Sequence, residues 1–203
     1  MGVAQGLASQ ALFLFDLGRV AAPLGVLEPV PEDLRADFEA ALEEARVIAL
    51  EAATAPGRYD ADEYAHVLYA AAGLSGRTRL AVGWCFLSMS GMPYEAEVEC
   101  QHCGAYLLGT ISDSEEGMVF EAVDARVRPI SEESPVQPRE APEVRWDARH
   151  PPEGDFEWLA ALCLAAGQDA FIGILCNLYG TGTCPVCEAP FLVMNEIERS
   201  HTR

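Results

Sequence analysis

Seven cysteines stand in the 203-residue chain, and four of them form two C-x-x-C pairs, Cys100-Gln101-His102-Cys103 and Cys184-Pro185-Val186-Cys187. Two residues between paired thiolates let a tight turn aim both sulfurs at one ion, while backbone N–H groups soften their charge. Two such turns make a closed four-thiolate site, a donor set that zinc prefers, with no position left open for water. The spacing predicts one structural zinc ion held by Cys100, Cys103, Cys184 and Cys187. It also predicts an assembly across a long insert, because the gap from Cys103 to Cys184 far exceeds the ~15 to 20 residues of a compact module.

Around these pairs the sequence resembles zinc-ribbon and zinc-knuckle proteins. Cys100-x-x-Cys103-Gly104-Ala105-Tyr106 and Cys184-Pro185-Val186-Cys187-Glu188-Ala189-Pro190-Phe191 both look like ribbon knuckles followed by a strand with an aromatic. The resemblance covers about thirty residues; it implies a bound zinc and a small β-structure, and no catalytic activity. Glu188 stands where the first knuckle has Gly104, and a left-handed backbone there would cost roughly 1 to 2 kcal/mol.

The competing chemistry is a pair of redox dithiols. Cys184-Pro185-Val186-Cys187 resembles the C-P-x-C motif of glutaredoxin-like proteins, whose first cysteine sits at a helix N-terminus with a lowered pKa. Here no βαβ pattern precedes the motif, and a strand is expected after it. Cys85, Cys163 and Cys176 lie on apolar helical segments and read as small buried hydrophobes. His102 reads as a solvated turn residue, and His66, His150 and His201 show no catalytic or metal-ligand spacing. No G-x-S-x-G, H-E-x-x-H or phosphate-cradling glycine loop occurs.

The elements expected to position the cysteines are mostly helical. Asp33 to Ala53 puts Leu34, Phe38, Leu42, Ala45 and Ala49 on one stripe, with Glu39, Glu43 and Glu44 on a solvated face. Asp60 with Glu63 reads as a capping box for a helix to about Gly73, and a further helix carries Leu80, Trp84 and Leu87. Tyr94 to Val123 changes period and predicts short strands. Pro129 to Glu153 holds six prolines and reads as a linker. Two apolar helices broken at Gly167 follow, then a strand-like Phe191 to Met194. At an offset of 91, Leu68, Ala70, Gly76, Cys85 and Leu87 match Leu159, Ala161, Gly167, Cys176 and Leu178, which suggests an internal duplication.

The expected fold is therefore mainly α, with stacked helix pairs and a small zinc-ribbon-like β-substructure built from two distant knuckles. As one domain over residues 1–203, it divides into a helical part (1–93), a first knuckle with short strands (94–124) and a Pro-rich acidic linker (125–154). A helical pair (155–180) and a second knuckle with the tail (181–203) complete it.

Composition bounds the function. The formal net charge is −19, and all thirteen basic residues are arginine. Without lysine, Schiff-base chemistry, lysine nucleophiles and a Walker-type loop are excluded. Alanine and arginine richness without lysine suits a GC-rich bacterial genome. So acidic a surface repels phosphate backbones, so no nucleic-acid partner is expected. No run reaches the ~18 to 20 apolar residues of a membrane span, so no membrane partner is expected either. Met1 to Val20 lacks the positive region of a signal peptide, and the cysteine usage suits a reducing cytoplasm. The expected function is that of a non-enzymatic cytoplasmic protein whose zinc clamps a helical scaffold for binding another protein. Two alternatives stand beside it: a thiol-disulfide oxidoreductase or redox sensor using the C-P-V-C dithiol, and an acidic immunity or inhibitor protein for a basic toxin.

Overall fold

The computed structural model describes residues 30–77, 94–111, 117–123 and 130–201. The N-terminal apolar patch, the expected helix around Trp84, and Cys85 lie outside these residues. The described residues fall into two compact units, one holding 30–77 and 144–168, the other the segments between 94 and 143 and 169–201.

The first unit is helical. A 3-10 turn, Glu32–Leu34, leads into α1 (Arg35–Ala53), which buries only Ala49, Ala52 and Ala53 at its C-terminal end. The expected apolar stripe is thus covered at one end alone: Leu34 is 51% exposed, and Phe38 and Leu42 are half-buried. In α2 (Ala61–Leu74), Asp60 accepts from the Glu63 N–H and Glu63 reaches back to the Asp60 N–H, as the capping-box spacing predicts. The buried Tyr64 hydroxyl donates to the Ala53 carbonyl at 2.9 Å and fixes the α1–α2 turn. Helix α3 (Asp155–Ala166) is buried along most of its length.

Helices α2 and α3 end alike. Gly76 and Gly167 are left-handed (φ 73° and 69°). The next N–H groups reach back to equivalent carbonyls, Arg77 to Ala72 and Gln168 to Cys163, both at 2.9 Å. This is the Schellman arrangement, in which glycine accepts the left-handed turn without a Cβ clash. The partners lie at the same offset of 91 as Leu68/Leu159 and Ala70/Ala161, all of which are buried. Residues 144–153 form neither helix nor strand, yet Trp146 is half-buried and meets the Trp158 ring edge-on at 6.1 Å. Arg77 stacks on Trp158 at 4.8 Å, pairs with Asp155 and donates to the Pro152 carbonyl.

The second unit overturns the mainly α expectation. Strands β1 (Tyr94–Glu99), β2 (Tyr106–Ile111), β3 (Met118–Ala122) and β4 (Ile130–Pro135) form an antiparallel sheet in sequence order. After α4 (Asp169–Leu178), β5 (Thr181–Thr183) and β6 (Pro190–Leu192) pair as a second hairpin, and α5 (Val193–His201) follows. The described residues thus hold five α-helices with a four-stranded and a two-stranded sheet. Strand β4 lies within the segment expected to be a linker; as an edge strand it pairs on one side only, which tolerates Pro135. The strand-like run expected to Met194 stops at Leu192, because Val193, Met194 and Ile197 bury one face of a helix.

An aromatic peg joins the two sheets. Phe120 of β3 packs edge-on against Phe191 of β6, with centroids 5.1 Å apart. A Cβ on Gly109 would lie 2.5 Å from the Phe120 ring, and one on Gly182 would lie 2.7 Å from the Phe191 ring. Glycine at both sites lets each ring lie flush on its neighbouring strand.

Candidate metal centre

Each C-x-x-C pair sits at the tip of a hairpin. Glu99 pairs with Tyr106 at the end of β1–β2, and Thr183 pairs with Pro190 at the end of β5–β6. The connections have the same backbone hydrogen bonds. The Cys100 N–H donates to Ala105 O and the Cys184 N–H to Ala189 O, both at 2.9 Å. The Gly104 N–H returns to Cys100 O at 2.9 Å and the Glu188 N–H to Cys184 O at 2.8 Å. Both residues after the second cysteine are left-handed, Gly104 at φ 73° and Glu188 at φ 59°.

The hairpins bring Cys100, Cys103, Cys184 and Cys187 together, with all four Sγ atoms within 4.8 Å of one another. Across the knuckles, Cys100 Sγ lies 3.7 Å from Cys187 Sγ, and Cys103 Sγ lies 3.7 Å from Cys184 Sγ. Four sulfurs bonded at about 2.3 Å to one tetrahedral ion would stand about 3.8 Å apart. The two cross-knuckle separations match that edge, and the whole cluster is compact enough to close on one metal ion. Cys100 and Cys184 are buried, whereas Cys103 and Cys187 are exposed.

Each knuckle directs backbone N–H groups at its first cysteine, but only Cys100 is favoured as anionic sulfur. Burial raises the Cys100 thiol, but N–H groups of Cys103 and His102, with the thiols of Cys184 and Cys187, bring it below its ordinary value. Cys184 receives N–H groups from Cys187 and Val186, yet burial pushes its free thiol up to about 12. The Cys103 thiol is lowered by the Ala105 N–H but held above its ordinary value by burial and by the thiols of Cys187 and Cys100.

The other sequence candidates lie elsewhere. Exposed His102 is not among the four ligands. His150 pairs with Asp147 at 3.1 Å on the surface. Cys163 is fully buried, and that burial pushes its thiol up to about 12 against the lowering contact of Tyr64, which leaves it inert. Cys176 is also buried and its thiol raised.

Three residues that sequence spacing did not single out surround the first knuckle. Gln101 donates its side-chain amide to Glu196 at 2.6 Å, and Arg199 donates to Glu196 at 2.7 Å and to the Glu99 carbonyl. Gln101 and Glu196 lie 95 positions apart, so no local pattern links them. No described helix is long and apolar enough to cross a membrane. Compared with protein-family models, curated proteins and solved structures, the chain matches none.

Proposed function

We propose that the four cysteines bind one zinc ion with a structural role, in a non-enzymatic cytoplasmic protein that acts by binding another protein. The observation that carries the metal assignment is the pair of cross-knuckle Sγ separations of 3.7 Å, one tetrahedral edge for a zinc–thiolate site. When bound, zinc supplies a redox-inert cross-link between the hairpins. The chain's part is to present four sulfurs, two of them buried, and to direct N–H groups at Cys100 and Cys184. A dithiol nucleophile has the opposite requirements, an accessible first cysteine with a lowered pKa. Cys184 is 0% exposed with its thiol raised, and a strand follows its motif, so the oxidoreductase alternative draws no support from the site.

Elemental analysis of protein purified without a metal-affinity step tests the assignment, with about one equivalent of zinc expected. Protein without metal, carrying either pair as a disulfide after anaerobic preparation, would sink it. A cytoplasmic site follows from the need to keep four thiolates reduced.

The binding role rests on the net charge of −19 and on α1, where exposed Leu34, Val47 and Ile48 stand among Glu39, Glu43 and Glu44. Such a surface suits a basic partner, including the toxin of an immunity pair, since complementary charge speeds association. Affinity capture with the purified protein as bait tests this role. Recovery of no specific partner from native cytosol, with an enzymatic turnover found instead, would overturn it.

A further inference from the structure

The knuckles are joined by more than their cysteines. Strand β6 of the second hairpin runs directly into α5, and side chains of α5 grip the first hairpin. Gln101, between Cys100 and Cys103, donates to one oxygen of Glu196 at 2.6 Å. The other oxygen accepts from Arg199 Nη2 at 2.7 Å and Nε at 3.1 Å. Arg199 also donates to the carbonyl of Glu99, the residue before Cys100. Cys100 is therefore held on both flanks by a helix that continues the chain of Cys184 and Cys187. The Glu196 residue is only 4% exposed. Removing one member of a buried ion pair leaves the other uncompensated, so these contacts hold the first knuckle and α5 in one fixed arrangement.

We infer that Glu196, through Gln101 and Arg199, is a positioning residue for metal loading, setting the first knuckle opposite the second before the ion binds. The inference rests on the metal assignment above. Each close sulfur contact spans the two hairpins, so both need the hairpins in register. Without the α5 contacts the first knuckle can pivot, and metal binding then carries the cost of ordering it. Outer-shell partners of metal sites commonly change affinity by about 10- to 100-fold.

The test is zinc affinity of the full chain, measured by competition with a chromophoric chelator, for wild type, Gln101→Ala, Glu196→Ala and the double variant. Gln101 is an exposed turn residue, so its truncation removes one hydrogen bond to Glu196 and opens no cavity. We expect roughly tenfold weaker binding for Gln101→Ala and 10- to 100-fold for Glu196→Ala. The double variant should be no weaker than Glu196→Ala alone, because the shared contact is already gone. A merely structural contact would lower the melting temperatures of the metal-free and metal-loaded proteins by the same amount and leave zinc affinity unchanged. Zinc affinity of Gln101→Ala within twofold of wild type, or additive losses in the double variant, would overturn the inference. If Glu196→Ala does not fold, Gln101→Ala alone decides. Wild type that binds one zinc while the variants are unchanged defeats only the α5 role; wild type that binds none defeats the metal assignment as well.

Discussion

Gly104 and Glu188 occupy the same position in two superposable turns, and both are left-handed, at φ 73° and φ 59°. Only the glycine adopts that conformation freely; a side chain there crowds the backbone, at roughly 1 to 2 kcal/mol. Glu188 nevertheless keeps the same return bond to its knuckle's first cysteine that Gly104 makes. Glu188→Gly should therefore stabilise the protein. The gain is about 0.5 to 1 kcal/mol after the larger unfolded-state entropy of glycine is subtracted. Urea unfolding of the metal-loaded variant measures this, and a midpoint below wild type would contradict it. Gly104→Ala should shift the midpoint the other way.

Trp146 anchors the irregular residues 144–153 to α3 within the first unit through its edge contact with Trp158. Because the ring is half-buried, Trp146→Ala should cost less than a full core truncation, about 2 kcal/mol. Thermal unfolding checks the stability. A variant with wild-type stability that loses its partner would instead make Trp146 a contact residue.

The local features were the legible ones. The Asp60/Glu63 box, the glycine break at Gly167 and the knuckle turns follow from rules spanning a few residues, and each stands where the sequence puts it. The α1 stripe was less informative: periodicity identifies an apolar face but not how much of it is covered, and only alanines at its end are buried. The fold class was misjudged because β4 reads Ile-Ser-Glu-Glu-Ser-Pro, a poor strand by composition that is stabilised by pairing with β3. The Gln101–Glu196–Arg199 contacts depend on chain topology and leave no trace in spacing.

Duplex DNA should not bind. With a net charge of −19, association would bring a polyanion onto a polyanion without the counterion release that drives such binding. In a gel-retardation assay at about 0.15 M salt and low micromolar protein, an arbitrary duplex should run free. A retarded band would contradict the electrostatic reasoning.

Metal removal should loosen the second unit. Cys103 and Cys184 lie 81 positions apart, and a cross-link closing a loop of that length is worth on the order of 4 kcal/mol in the chain-entropy model. That figure is a ceiling, because the Phe120–Phe191 contact already joins the two sheets and α5 already grips Gln101. Against this, four unliganded thiols would remain crowded within 4.8 Å, two of them buried, without an ion to bind. Chelation should therefore lower the melting temperature by roughly 5 to 15 °C. Amide hydrogen exchange should accelerate first around 98–108 and 182–199, while the capped start of α2 keeps its protection. Cys184→Ser should reproduce most of the effect. Cys103→Ser should give less, since its sulfur is exposed and an oxygen there can still meet water. If the metal-free protein melts with the metal-loaded one and exchanges at the same rates, the ion does not hold this fold.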